Sequence, residues 1–286
     1  MILQGDFYMK NTHYICILTL LSTLGYADGI NTQVTYEHLN FDHSKKKDKG
    51  NRYGLKFSYR SGDNLYQAAY EKTNTDTFQP PLTQNLHVNK YYLKYTHQLG
   101  NKQGFSLSYT TIDDNLMKQT DGGNIYGIGY NNAGFGVTQY LSDYKHFNVY
   151  QTDLKYTYKR SFGEIDTSAA VIGKYIHLQD RESNPFSRNA KENYFTPGIK
   201  LHMHYYEYHA GIGAFFGKRI FAVMDNGFRV QHHAMEFNKT YMVGAGKHFG
   251  KFDAAVKYIY QEATEVPIMN SGVTVQNIRV ELKYHF

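Results

Sequence analysis

The 286-residue chain has one cysteine, no tryptophan, five prolines and only 20% charged residues. A single cysteine excludes a disulfide-rich scaffold, and an aromatic content of 16% excludes a disordered chain. The mean hydropathy is -0.58, and no apolar run approaches the roughly 20 residues that a membrane-spanning helix needs. Two classes of protein remain: a large soluble all-β protein, or a β-barrel that crosses a membrane with alternating apolar residues.

The N-terminal segment is typical of a secretory signal. A short apolar run at residues 15–24 is followed by small residues up to Ala27, at the positions that a signal peptidase reads. We expect cleavage after Ala27, with residues 1–27 as signal peptide and residues 28–286 as the barrel domain. Met9 is the expected start, because the residues before it include an acidic residue and no basic one.

Apolar residues of the mature chain recur at every second position, which predicts β-strands with one apolar and one polar face. Residues 52–60 show the pattern, and segments 104–111 and 252–260 repeat it. Short connections rich in Gly, Asn or Ser alternate with longer polar connections, and all five prolines lie in or beside the longer ones. This asymmetry is typical of a transmembrane antiparallel up-and-down β-barrel.

The connections predict about fourteen strands, with twelve as the alternative. The predicted strands are residues 30–41, 52–60, 65–71, 87–98, 104–112, 124–130, 135–141, 147–160, 164–178, 194–205, 208–217, 237–248, 252–260 and 273–286. The connection from Lys218 to Glu236 contains Asp225-Asn226-Gly227, a hairpin signal, so we expect two strands to continue past the membrane there. This connection and residues 179–193 are also long enough to fold inward and gate a pore.

The last strand alternates in the same way and ends on an aromatic residue. Its apolar positions are Ile278, Val280, Leu282, Tyr284 and Phe286. The pattern resembles the C-terminal β-signal of Gram-negative outer-membrane proteins, which the barrel assembly machinery recognises. In size and strand number the chain resembles small single-chain porins. The resemblance implies a location in the cell outer membrane, contact with its lipid and lipopolysaccharide, and passive diffusion of small hydrophilic solutes without any cofactor.

The polar face of the strands predicts the lining of the lumen. The pore-lining candidates are Lys56, Arg60, Lys90, Lys94, Lys155, Lys159, Lys200, Lys257, Arg279 and Lys283, and the basic set is completed by Arg52 and Lys174. The acidic set is Glu71, Asp153, Glu164, Asp166, Glu207, Asp253 and Glu281. The basic excess favours anions in the pore. The alternative is that opposite charges on neighbouring strands neutralise one another and only solvate the wall.

Aromatic residues are expected to form two belts at the membrane interfaces, about 25 Å apart. The candidates are Tyr53, Tyr59, Tyr91, Tyr95, Tyr156, Tyr158, Tyr258, Tyr260 and Tyr284.

Other functions have weaker support in the sequence. His202, His204, His209 and the pair His232-His233 lack the spacing of a tight metal site, so we expect no metal. His43-Ser44 superficially resembles the His/Ser pairs of outer-membrane acyl hydrolases, but it lies in a lysine run that is typical of a solvated loop.

No catalytic residue is predicted, because no nucleophile, base and orienting group occur together. A barrel enzyme (lipid hydrolase or protease) and a closed adhesin or structural barrel remain as alternatives. Nucleic-acid binding is not expected, since the basic residues are spread along the chain, and the lysines of the first long connection suit contact with anionic lipopolysaccharide.

Overall fold

The computed structural model describes residues 29–100, 102–117, 119–183 and 187–286. The predicted signal peptide, its cleavage after Ala27 and the expected start at Met9 lie outside these residues. None of the described helices has the length and hydropathy needed to span a bilayer.

The described residues form sixteen strands, of which fourteen close into an antiparallel barrel in which the first strand pairs with the last. The strands are β1 (Ile30–Asp42), β2 (Lys47–Ser61), β3 (Asn64–Thr77), β4 (Leu86–Gln98), β5 (Gln103–Asp114), β6 (Asn124–Asn132), β7 (Phe135–Tyr144), β8 (Phe147–Phe162), β9 (Ile165–Gln179), β10 (Asn193–Tyr205), β11 (Tyr208–Arg219), β12 (Val223–Met224), β13 (Arg229–Val230), β14 (Met235–Phe249), β15 (Phe252–Glu265) and β16 (Asn270–His285). Strands β12 and β13 form a separate hairpin between β11 and β14. The predicted all-β barrel and its count of fourteen strands are confirmed.

Several strands extend further at the long-connection rim than the sequence pattern predicted. Strand β2 already begins at Lys47, paired with Thr77 of β3, and β15 continues to Glu265. The expected long connection at residues 142–146 is only the turn between Tyr144 and Phe147. Alternating apolar residues mark the segment that faces lipid, whereas backbone pairing continues beyond it with side chains such as Lys47 and Glu265, which are polar and buried. The sequence pattern therefore underestimated the strands and overestimated the connections.

The outer face of the barrel is apolar, with aromatic residues near both rims. On β2, Tyr53, Leu55 and Tyr59 point outward and are 48%, 42% and 38% exposed. Near the long-connection rim the cross-strand aromatic pairs are Tyr36–Tyr53, Tyr70–Tyr91 and Tyr109–Tyr126, with ring centroids 5.5, 5.2 and 5.6 Å apart. Near the short-connection rim they are Tyr59–Tyr66, Tyr66–Tyr95 and Phe252–Tyr284. These pairs form two aromatic belts.

Adjacent residues of β1 allow a test of which face meets lipid. Val34 is 56% exposed and its cross-strand neighbours are the outward Leu55 and Leu282, whereas Thr35 lines the lumen. Val34→Arg should lower the free energy of unfolding by about 2–4 kcal/mol, because it places a charge in the hydrocarbon region. Thr35→Arg, the matched control, should cost clearly less. Urea unfolding in lipid vesicles measures both, and equal losses would contradict this assignment of the faces.

Candidate functional site

The connection between β11 and β14 folds into the lumen, and we call residues 220–234 the inserted loop. Wall side chains donate hydrogen bonds to its carbonyl groups. Gln151 reaches Val223 O at 2.7 Å, Lys94 reaches Asn226 O at 2.9 Å, and Lys90 reaches Val230 O at 3.3 Å. The expectation that two strands continue past the membrane here is wrong, because the β12–β13 hairpin lies inside the barrel.

Apolar residues at the start of the inserted loop explain its direction. Ile220, Phe221, Ala222 and Val223 are at most 1% exposed. They pack in one cluster with inward-facing residues of β4 to β9, which include Leu86, Val88, Tyr92, Ile112, Ile125, Tyr140, Tyr144, Phe147, Val149, Ile172, Ile176 and Leu178. A hairpin that protruded into water would expose this surface, at a cost of roughly 1.5–3 kcal/mol for each large side chain. The loop therefore fills one half of the lumen.

A buried carboxylate fixes the inserted loop to the opposite wall. Glu37 of β1 is 1% exposed and forms ion pairs with Arg229 of the loop at 2.6 Å, Arg52 of β2 at 3.0 Å and Arg279 of β16 at 3.4 Å. Arg52 and Arg279 are its cross-strand neighbours, so the barrel register presents two guanidinium groups to one carboxylate. Sequence analysis missed Glu37, although it stands between the outward Tyr36 and His38 and therefore has lumen parity.

The row of alternating charges continues along the wall. Glu71 of β3 accepts from Lys90 of β4 at 2.6 Å and lies 3.4 Å from Arg52. Lys90 is fully buried and donates a second hydrogen bond to Val230 O of the inserted loop. Both ends of the row thus reach adjacent loop residues, Arg229 and Val230.

The open part of the lumen is a cavity of about 660 Å³ between the inserted loop and the wall of β10, β11, β14 to β16 and β1 to β3. Its lining extends from Asp253 and Lys283, near the short-connection rim, to Phe41 and Phe237, near the long-connection rim. The cavity therefore follows the barrel along most of its height.

The ten predicted pore-lining residues fall into three groups. Those that line the cavity are Lys56, Lys200, Lys257, Arg279 and Lys283. Those that bind carbonyl groups of the inserted loop are Lys90 and Lys94. Those that are solvent-exposed, in the strand segments that lead to the short connections, are Arg60, Lys155 and Lys159.

Neutralised and free cations lie at different heights of the lumen. Lys174 pairs with Asp153, Lys257 with Glu281 at 2.8 Å, and Lys200 with Asp225 at 3.6 Å. In the described part of the chain, no carboxylate oxygen lies within 4.0 Å of the ammonium groups of Lys56, Lys94, Lys155 and Lys283. The ammonium group of Lys56 lies instead 3.7 Å from the ring centroid of Phe228 in the inserted loop. These four free charges lie on the short-connection side of the loop, whereas Lys47 and Arg219, which also have no carboxylate oxygen within 4.0 Å among the described residues, line the cavity near the long-connection rim.

The histidines occupy two separate places. His202 and His209 line the cavity with ring centroids 5.7 Å apart, and His204 is exposed. His232 and His233 lie in the inserted loop, where burial lowers the pKa of both well below the ordinary histidine range and neighbouring cations act in the same direction. Both imidazoles are therefore neutral at neutral pH.

The first long connection is more ordered than a solvated loop. Ser44 is 8% exposed, donates to Glu265 at 2.7 Å and accepts from the backbone N–H of Lys46 and Lys47. Lys47 is 4% exposed and faces the lumen. Ser44 thus stabilises a turn, and the expectation of a fully solvated lysine run is wrong for Ser44 and Lys47.

Comparison with known proteins identifies the fold. No protein-family profile and no curated sequence matches the chain. A bacterial polysaccharide outer-membrane secretin superposes with a TM-score of 0.56 at 9% identity, covering 91% of this chain and 99% of that one. Omp33 of Acinetobacter baumannii gives 0.49 at 9% identity, covering 90% and 98%. The KdgM porin gives 0.40 at 10% identity, covering 89% and 99%. At such identities the likeness concerns the fold alone: the chain folds as an outer-membrane β-barrel.

Two substitutions test how the inserted loop is held. Glu37→Gln leaves three guanidinium groups without their shared carboxylate and should cost about 3–5 kcal/mol. Arg229→Ala should cost less, because Glu37 keeps Arg52 and Arg279, but it should accelerate amide hydrogen exchange throughout residues 220–234. Urea unfolding and exchange measured by mass spectrometry check both, with exposed Arg160→Ala as control. Unchanged exchange in Arg229→Ala would contradict a role for this ion pair in docking.

Proposed function

We propose that the protein is an outer-membrane channel for passive diffusion of small hydrophilic solutes, with a preference for anions. The observation that carries the proposal is the cavity that follows the barrel beside the inserted loop, with Lys56 and Lys283, which have no carboxylate partner among the described residues, in its lining.

The dimensions of the lumen support a channel for small solutes. A fourteen-strand barrel is wider than an eight-strand barrel, whose interior side chains can fill. The inserted loop fills one half of that width and leaves about 660 Å³ on the other side. Cavities of roughly 300–1,000 Å³ hold one drug-sized molecule, so the passage suits single small molecules rather than folded chains.

The charge distribution supports anions and explains why the sequence left two interpretations open. Near Glu37 the cations are paired with carboxylates of neighbouring strands, as in the alternative of neutralised charges. These pairs also hold the inserted loop. On the short-connection side of the loop, Lys56, Lys94, Lys155 and Lys283 have no carboxylate partner among the described residues. Low-dielectric walls around unpaired positive charge raise the local concentration of anions. The selectivity would arise in this part of the lumen, between the inserted loop and the short-connection rim.

The proposed partners follow from the outer surface. The apolar outer face would contact membrane lipid, and Lys45 and Lys49, both exposed near the long-connection rim, would contact lipopolysaccharide phosphates. In β16, Ile278, Val280 and Leu282 point outward and are 52%, 45% and 45% exposed. Together with Tyr284 and Phe286 they would be recognised by the barrel assembly machinery before β16 pairs with β1.

Charge reversal at two heights tests the proposed selectivity. Reversal potentials in a KCl gradient across a planar bilayer should show anion preference in the unmodified protein. The double variant Lys56→Glu/Lys283→Glu should lose the preference by several fold or become cation-selective. Arg60→Glu/Lys159→Glu introduces the same charge change nearer the rim, where solvent screens it, and should have a smaller effect.

A cation preference in the unmodified protein would overturn the proposal for anions while leaving a channel. Absence of conductance from correctly folded protein would overturn the channel and favour a closed structural barrel.

A further inference from the structure

Three potential metal ligands meet where the inserted loop touches the end of β5. One nitrogen each of His232 and His233 and one carboxylate oxygen of Asp114 lie within 4.8 Å of one another. Among the described residues, no other three His, Cys, Asp or Glu side chains bring potential ligand atoms this close together. Asp114 is distant in sequence from both histidines, so sequence spacing gave no indication of the third ligand.

The tautomer of His232 leaves a lone pair on one ring nitrogen, and no described group donates a hydrogen bond to it. Its Nδ1 lies 3.3 Å from the carbonyl oxygen of Val230, which only accepts hydrogen bonds, so Nδ1 carries the proton. Nε2 of the neutral ring is then an acceptor. His232 is only 5% exposed, and Nε2 has no hydrogen-bond partner among the described residues. A buried imidazole that donates to a backbone carbonyl and presents its other nitrogen unpartnered has the arrangement of a metal ligand.

Asp114 is oriented toward the same point. Its Oδ1 accepts from the backbone N–H groups of Leu116 and Met117 at 3.0 and 2.9 Å, which fixes the carboxylate plane. Its Oδ2 lies 3.3 Å from Nε2 of His233. Asp114 is 2% exposed, so its charge is held away from bulk water and stabilises a bound cation strongly.

We propose that Asp114, His232 and His233 bind a divalent transition-metal ion, with Zn²⁺ as the representative probe. Two imidazoles and a carboxylate are a donor set that zinc takes, with a fourth position open to water. Both histidines line the main cavity, so an ion reaches the site from the lumen. This inference replaces the sequence expectation of no metal and does not depend on the channel function. A bound ion would link the inserted loop to β5.

Lys47 holds His233 in the tautomer that opposes metal binding. Its ammonium group is hydrogen-bonded to Nδ1 of His233, which keeps the His233 proton on Nε2, the nitrogen that faces Asp114. That proton must leave before a metal binds. The next cations, Arg52 and Lys90, are already paired with Glu37 and Glu71. Removing the Lys47 ammonium lets the proton move to Nδ1 and frees Nε2, so Lys47→Met should bind zinc more tightly.

Zinc titration of the refolded full chain in detergent, by isothermal calorimetry, tests the proposal. We expect one equivalent of zinc to bind, His232→Ala and Asp114→Asn each to weaken binding by at least about 100-fold, and Lys47→Met to strengthen it by about tenfold. The matched control His202→Ala/His209→Ala removes the other histidine pair that faces the cavity and should bind as the unmodified chain does. Each variant is first shown to be folded by its circular dichroism and heat-dependent gel mobility.

X-ray absorption of the zinc-loaded protein should show two imidazole nitrogens at about 2.0–2.1 Å and oxygen at about 2.0–2.2 Å. No zinc binding to folded unmodified protein would overturn the proposal. So would loss of binding in the His202/His209 control with retention in folded His232→Ala, or weaker binding in Lys47→Met.

Discussion

The arrangement of the lumen depends on one buried carboxylate, that of Glu37. A carboxylate at this depth is stable only with cations around it, and the fold supplies Arg52 and Arg279 from neighbouring strands and Arg229 from the inserted loop. The contacts then continue through Arg52 to Glu71, through Glu71 to Lys90, and from Lys90 to the carbonyl of Val230. Because Val230 follows Arg229 in the chain, the contacts close a ring that holds the loop at two adjacent points.

This ring and the apolar cluster hold the inserted loop from opposite sides. Ile220 to Val223 pack against β4 to β9, while Arg229 pairs with β1 across the lumen. Burial of its apolar residues favours docking of the inserted loop but is not directional, whereas the ion pairs specify where the loop lies. The loop therefore divides the lumen into a filled half and an open half, and the open half keeps the charged wall. A cavity along the barrel is a consequence of this division and not of barrel width alone.

The sequence predicted the barrel because alternation reports which residues face lipid, as Tyr53, Leu55 and Tyr59 do. It did not predict the strand extensions at Lys47 and Glu265, since strand pairing beyond the lipid-facing segment needs no alternating apolar face. The sequence contains one indication of the filled half. Strand β9 has apolar residues on both faces, Val171 and Ile172 or Tyr175 and Ile176, which a lumen filled only with water does not require. What no local pattern contains is the partner of each inward residue, so Glu37 and Arg229, or Asp114 and His232, meet only in the folded chain.

The carbonyl of Val230 connects the ionic ring to the proposed metal site. It accepts from Lys90 at 3.3 Å and from Nδ1 of His232 at 3.3 Å. A cation bound at Nε2 withdraws electron density from the His232 ring and makes its Nδ1–H a stronger donor to this carbonyl. The loop would then be fixed to β5 through Asp114, and His232 would be held more firmly to strand β13, which presents Arg229 to Glu37. Since the same few residues carry both sets of contacts, occupation of the metal site would stabilise the docked loop without any direct contact between the ion and Glu37.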